Sequence, residues 1–353
     1  MDTKNDHSEF SERRHVRAFA PWTDHGLKAC GAAKNDRAAI EERLNNAPGI
    51  MGWTVGECVL RCEERGINVC RVYDKECREH WLYLGPWSEW QRVSELWSHL
   101  ETVNRILMDI SPLFYVFGSM LPGVRWLKTS EGFLALSERR AYTPYFQLLS
   151  EHNLPARFEN IVQLTGFLRL LQLGDNVFSN GNSHKIVDEL EQRTLSLIKS
   201  VEERVPQKAR YARWQSFLLQ NAKSISYSGR LVLSLGPFAP GCIAYTERAA
   251  LLIDFPFLLS EDLEHSDLCR LLFVLRKQYV QDRQCLIDSY FNRDVPCQFF
   301  SLLAHQQIVF VLEALRASTR GSGRESYLLR EFENLSQEYE RFRSPVPHWY
   351  KYY

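Results

Sequence analysis

Apolar residues recur at three- and four-residue steps along most of the chain, and that period predicts helix after helix. Trp90, Val93, Leu96, Trp97, Leu100, Val103 and Leu107 form one wide apolar face behind Pro86 and a Ser88 cap. The same spacing predicts helices over 155–174, 184–205, 210–224, 267–291, 297–317 and 325–343, with 247–259 continuing the bundle. Residues 109–142 read as a packed helix hairpin with a Pro-Gly turn at 122 and 123. Nearer the start, a short helix over 36–46 stops at Ala47-Pro48-Gly49, and a second is predicted over 52–66, ending at Gly66. Residues 67–74 alternate as a strand does, and a small sheet is expected near 67–73 and 230–234. The fold expected is all-α, a helical bundle with a small mixed N-terminal region. Its parts are a polar N-terminal arm over 1–35, a mixed α/β region over 36–85 and a helical domain over 86–353.

Composition narrows the function classes. Basic and acidic residues number 43 each, so no strongly basic field for nucleic acid follows. No uninterrupted apolar run reaches the ~18–20 residues of a membrane span, and the first residues, MDTKNDHSEFSERRH, lack a secretory signal's apolar core. Nine cysteines, an odd number, do not read as a disulfide framework. The expectation is a cytoplasmic protein that contacts neither membrane nor nucleic acid. Cys58, Cys62, Cys70 and Cys77, with His80 just beyond, are potential zinc ligands. Their spacing lacks paired knuckles, and buried cysteine is common as a small hydrophobe, so no zinc is expected.

One polar residue interrupts the most apolar helix. His305 shares a face with Leu302, Val309 and Leu312, Arg316 extends the line, and a glycine- and hydroxyl-rich loop follows over 318–323. Two readings are open. The imidazole is either a core histidine with an ordinary hydrogen-bond partner or an axial ligand to a heme iron. Nothing in the chain matches a Walker loop, a His-Glu-x-x-His pair, a nucleophile elbow or an internal repeat.

The order His305, Val309, Thr319, Gly321, Ser322, Tyr327, Leu328 resembles the C-terminal heme segment of the tryptophan 2,3-dioxygenase superfamily. That superfamily includes indoleamine dioxygenases and heme-dependent tyrosine hydroxylases. The stretch Ser94-Glu95-Leu96-Trp97 is similar to the family's Glu-Leu-Trp element. Ser111, Pro112, Leu113, Phe117 and Leu121 resemble its Thr-Pro-Leu segment, and Gly132, Phe133 and Arg139 its Ser-Gly-Phe element. The likeness covers roughly 88–140 and 297–330. It implies a heme b protein with His305 as proximal ligand and Val309 and Arg316 beside the cofactor. Phe114, Phe117 and Phe133 would line a substrate pocket, with Thr319, Arg320 and Ser322 holding the substrate. Ungapped counting puts Leu82 at the distal-histidine position, with His80 close by as the candidate distal group. Gly118 stands where the family's carboxylate-binding arginine belongs, so Arg320, Arg125 or Arg139 would replace it, unless the substrate lacks a free carboxylate.

The implied activity is oxygen insertion into an aromatic amino acid, with dioxygen or peroxide as co-substrate and a homo-oligomer left open. A peroxide-using hydroxylase acting on an aromatic amino acid or cyclic dipeptide shares every one of these features. The unlike alternative is a cofactor-free helical interaction protein.

Overall fold

The computed structural model describes residues 34–350 apart from 48–49, 51, 63–65, 111–120, 131, 139–141, 145–153, 173–188, 229–230, 236–242, 247–250, 254–258 and 278–279. The chain divides into two compact units: the described residues up to Gln163 with those of 241–259, and those of 164–240 with the chain from Ser260 onward.

The first unit is built on a sheet, which corrects the all-α expectation. After helix α1 (Lys34–Asn45) come β1 (Thr54–Cys62), β2 (Ile67–Tyr73) and β3 (Glu79–Gly85). Helix α2 (Trp90–Ile110), β4 (Val124–Lys128) and β5 (Phe133–Glu138) follow. The five strands pair antiparallel in the order β1-β2-β3-β5-β4. The strand expected at 67–73 is β2, but the helix expected over 52–66 is strand β1. Cys58 and Cys62 satisfy a helical four-residue step, yet a short apolar run cannot separate helix from strand. Pairing with β2 decides it.

One face of the sheet carries Cys70, Val72, Leu82, Leu84, Leu134 and Leu136, all buried beneath Leu44, Ala47 and Ile50. Side chains alternate across a strand, so the intervening residues make a second apolar face. Trp90 of α2 packs on that face, edge-on to Trp126 at 5.3 Å and tilted against Phe133 at 5.7 Å. Phe133 is fully buried. Its neighbour Gly132 is required by close approach, because a Cβ there would overlap the Gly85 carbonyl. The Gly-Phe pair that resembled a substrate-binding turn is therefore a packing device in β5. A second sheet in this unit joins β6 (Tyr142–Pro144), β8 (Ile243–Thr246) and β9 (Leu251–Ile253), in the order β6-β8-β9. Strands β8 and β9 flank and enter the stretch expected to continue the bundle.

Helix α3 (Leu154–Gln172) runs across the division between the units. The second unit contains α4 (Leu190–Val201), α5 (Trp214–Ser228), β7 (Leu231–Ser234), β10 (Ser260–Leu263), α6 (Ser266–Val274), α7 (Val280–Phe291), α8 (Cys297–Ala317) and α9 (Gly323–Glu338). Strands β7 and β10 pair antiparallel, with Ser234 opposite Ser260. The remainder is helical, as the periodicity predicts.

Helix α8 is the axis of this unit. It is long and apolar enough to cross a membrane. Instead it is buried on nearly every side, packed against α4, α5, α6 and α9. A helix apolar all round belongs in a core or a membrane, and here the core supplies the partners. Phe332 of α9 closes that core, meeting Tyr211 at 5.5 Å, Trp214 at 5.8 Å and Phe342 at 5.3 Å. Truncation of this fully buried ring by Phe332→Ala is expected to cost ~3–5 kcal/mol, read as a lower urea midpoint at unchanged slope.

Candidate functional site

Those residues singled out by sequence that the structure describes sit in ordinary structural surroundings. His305 is buried, and its Nε2 lies 3.0 Å from Thr194 Oγ1. The threonine hydroxyl donates to the Leu190 carbonyl at 2.8 Å, so it accepts from an Nε2–H of a neutral imidazole. Burial pushes the His305 pKa down to about 4. Of the two readings, the core histidine with an ordinary partner is the one the geometry matches. Val309 packs at the edge of the same core, and Arg316 is an exposed cation in the last turn of α8, where the helix dipole favours it.

The hydroxyl-rich loop is the α8–α9 turn. Ser322 caps α9, accepting from the Glu325 amide at 3.1 Å, and the Glu325 carboxylate accepts from the Gly321 amide at 2.5 Å. Gly321 takes a φ of 75°, which this reversal requires. Arg204 locks the turn from α4's side, donating to the Leu315 and Ser318 carbonyls and pairing with Glu325. Thr319 is exposed and accepts at its carbonyl from the Ser322 amide. Arg320 is exposed and pairs with Glu203 at 3.1 Å.

His80, on β3, bonds Asp74 at 3.1 Å, and its ring centroid lies 4.7 Å from that of Trp53. Burial pushes the Asp74 pKa up, but hydrogen bonds from the Arg78 amide, His80 and the Arg78 guanidinium outweigh it and hold it at about 2. Phe114, Phe117, Gly118 and Arg139 lie outside the described residues. Cys58 stands opposite Cys70, Cys62 opposite Ile67, and Cys77 is exposed in the β2–β3 turn. Among the described residues, no three His, Cys, Asp or Glu converge on a potential metal position.

A buried polar cluster that the sequence reading passed over lies at the end of β7. His265 takes a left-handed φ of 71° and turns the chain from β10 into α6. Asp267 then lies in the first helical turn, where backbone amides favour a carboxylate. Its two oxygens accept from Ser234 Oγ at 2.8 Å and from the Leu235 amide at 2.9 Å. Arg270 donates to Asp267 and to Ser234 Oγ, both at 3.3 Å, and pairs with Asp262. Burial pushes the Asp267 pKa up to about 6, against the pull of Arg270, the Leu235 amide and Ser234, so the carboxylate is ionised at neutral pH. Gln306 of α8 donates to Ser266 Oγ at 2.5 Å. The cluster fixes where the chain leaves β7 and enters the segment 235–242. Serine and aspartate 33 residues apart carry no sequence signal that could have paired them.

No protein-family model and no curated protein matches the chain. Among solved structures, a choline/ethanolamine kinase family protein from Mesorhizobium loti superposes with a TM-score of 0.50 at 12% identity, covering 86% of this chain and 97% of that one. An aminoglycoside phosphotransferase from Alicyclobacillus acidocaldarius superposes with a TM-score of 0.48 at 10% identity, over 78% and 87%. The ADP-bound aminoglycoside phosphotransferase APH(2'')-Ib does so with a TM-score of 0.48 at 12% identity, over 86% and 99%.

The chain therefore has a kinase-like fold, not that of a heme dioxygenase. The fold corrects the family resemblance and, with it, the oxygenase activity, the heme cofactor and the aromatic and dioxygen partners. The physical reason lies at His305, whose Nε2 is already committed to Thr194 inside a packed core.

Two outcomes follow from this geometry. The unfolded chain protonates His305 near pH 6.5, but the folded chain does so only near 4. The stability this group contributes is present above the higher value and lost as pH falls through that window, by ~3 kcal/mol. His305→Gln should flatten that part of the pH dependence of the urea midpoint; an unchanged slope would contradict a buried neutral imidazole. Asp267→Ala leaves Arg270 and Ser234 buried without their partner and should cost ~3–5 kcal/mol, against ~1 kcal/mol for Ser234→Ala. Equal midpoints for the two variants would remove Asp267 from its anchoring role.

Proposed function

We propose that this protein uses a small-molecule-kinase fold to bind a ligand and does not itself transfer phosphate. The observation that carries the reading is the segment between β7 and β8. In kinases this connection reads His-Arg-Asp-Leu-x-x-x-Asn. Its aspartate accepts the substrate hydroxyl proton, and its asparagine holds magnesium together with the aspartate of a later Asp-Phe-Gly.

Here β7 ends at Ser234 and β8 begins at Ile243, leaving Leu235-Gly236-Pro237-Phe238-Ala239-Pro240-Gly241-Cys242. The length is that of the motif, and the start is pinned by Asp267 at the Leu235 amide. The chemistry differs. Leu235 takes the histidine's place, Pro237 the aspartate's and Cys242 the asparagine's. A proline offers neither a base nor a carboxylate.

The other groups needed for magnesium and nucleotide fit no better. Kinases carry a phosphate-binding lysine on the third strand, and β3, Glu-His-Trp-Leu-Tyr-Leu-Gly, has no lysine or arginine. The β1–β2 connection reads Glu63-Glu64-Arg65-Gly66, with one glycine and two acidic residues, unlike the glycine-rich loop that covers phosphates in kinases. Asp254, directly after β9 in sequence and followed by Phe255-Pro256, matches the aspartate of the Asp-Phe-Gly motif. Of the two residues at the magnesium-ligand positions of the motifs, one offers a carboxylate and the other a soft thiol, a poor match for magnesium, which demands hard oxygen ligands in near-octahedral array. No catalytic step is derived through these groups.

Asp254 favours a second reading, in which the chain retains slow phosphotransfer. The two separate in one assay. Purified protein is incubated with magnesium and ATP, with choline, ethanolamine or an aminoglycoside as acceptor, and phosphate release and transfer are followed. Turnover no greater than the buffer blank is expected. Turnover that disappears in Asp254→Asn would establish the second reading and overturn the first.

A further inference from the structure

Strand β1 lies at the edge of the five-stranded sheet, and its ladder with β2 is irregular on both sides of one residue. Pairing steps from Val55 opposite Val72 to Cys58 opposite Cys70, and then to Leu60 opposite Val69. Three residues of β1 are thus matched by two of β2, and two by one, so extra residues flank Cys58. Cys58 and Cys70 stand directly across from each other. Directly opposed residues of an antiparallel pair lie on one face of the sheet, with Cα atoms ~4.5–5.5 Å apart. That separation falls inside the ~4.4–6.8 Å range of disulfides.

No other cysteine of the hairpin is so placed. Cys62 faces Ile67, and Cys77 lies in the β2–β3 turn. Cys70 is fully buried, among Val72, Leu82 and Leu136, so exchange at this pair needs a local opening of the hairpin. An edge strand interrupted by bulges is where local opening is easiest.

We propose that Cys58 and Cys70 form a redox-active pair that locks the β1–β2 hairpin when oxidised. The oxidant is a small-molecule disulfide. The Cys58 thiolate attacks one sulfur of that disulfide and expels a thiolate, giving a mixed disulfide. Cys70 sulfur then attacks the Cys58 sulfur and expels the second thiolate. One S–S bond forms and one breaks, two electrons pass to the oxidant, and the two protons leave with the released thiols. The hairpin becomes closed at 58 and 70, and the edge strand can no longer peel away.

The test uses the full reduced chain under native conditions with oxidised glutathione. Remaining thiols are alkylated in denaturant, and the protein is digested with trypsin without reduction. Cleavage after Arg43, Arg61, Arg65 and Arg71 puts Cys58 in peptide 44–61, Cys62 in 62–65 and Cys70 in 66–71. Linkage of 44–61 to 66–71 should be the dominant product, should vanish on reduction, and should be accompanied by slower amide hydrogen exchange across 55–72. In Cys58→Ser, Cys70 should stay alkylatable. Recovery of both cysteines as alkylated thiols, linkage of Cys58 to Cys62 instead, or arrest at the glutathione adduct of Cys58 would each overturn the proposal.

Discussion

Helix α8 must be enclosed on nearly all sides, and the second unit is arranged around meeting that demand. Its apolar residues leave no solvent face on which to balance them, so α4, α5, α6 and α9 pack round it. Enclosure also sets the terms for every polar group the helix carries. His305 stays neutral and bonds Thr194. Gln306 bonds Ser266, and Gln307 accepts from the Tyr339 hydroxyl at 2.9 Å. Each of these side chains finds one partner from outside the helix, which lowers the cost of burying it, while Gln306 Oε1 and Gln307 Nε2 have none.

The same rule explains the two ends of the fold's connections. Arg204 reaches the Leu315 and Ser318 carbonyls at the C-terminal end of α8, where the helix's own amides run out, and ties them to Glu325 in the next one. Asp267 does the corresponding work at the end of β7. Its carboxylate binds an amide that has left the β7–β10 ladder, and Arg270 offsets the charge. Charge buried in this way is stable only while all its partners remain, which makes these clusters rigid.

Rigidity at Leu235 has a functional meaning. A kinase-like connection between β7 and β8 needs a fixed starting point so that its base and metal ligands converge, and that starting point is present here. In the reading proposed above, Pro237 and Cys242 stand at the sequence positions of the base and of one ligand. Keeping the scaffold while changing the reacting groups is consistent with a protein whose fold serves binding. Folds host functions through their sites, so the site and not the architecture carries the conclusion.

Much of the helical architecture is legible in periodicity alone: α1, α2, α3, α4, α5, α8 and α9 fall where apolar residues repeat at helical steps, and β2 and β7 where strands are expected. Other features have no local signal. Strand β1 has a helix-compatible spacing and becomes a strand only by pairing with β2. Strands β3 and β5 are buried on both faces, so alternation is hidden, and their pairing with each other joins residues 48 to 58 positions apart. His305 is the sharpest case. Its position on an apolar helix allows either an iron ligand or a core histidine, and a helix–glycine–serine–helix order occurs wherever two helices reverse through a capped turn. Thr194, 111 residues earlier in the chain, decides between them, because the state of a buried imidazole depends on the hydroxyl that only folding brings within reach.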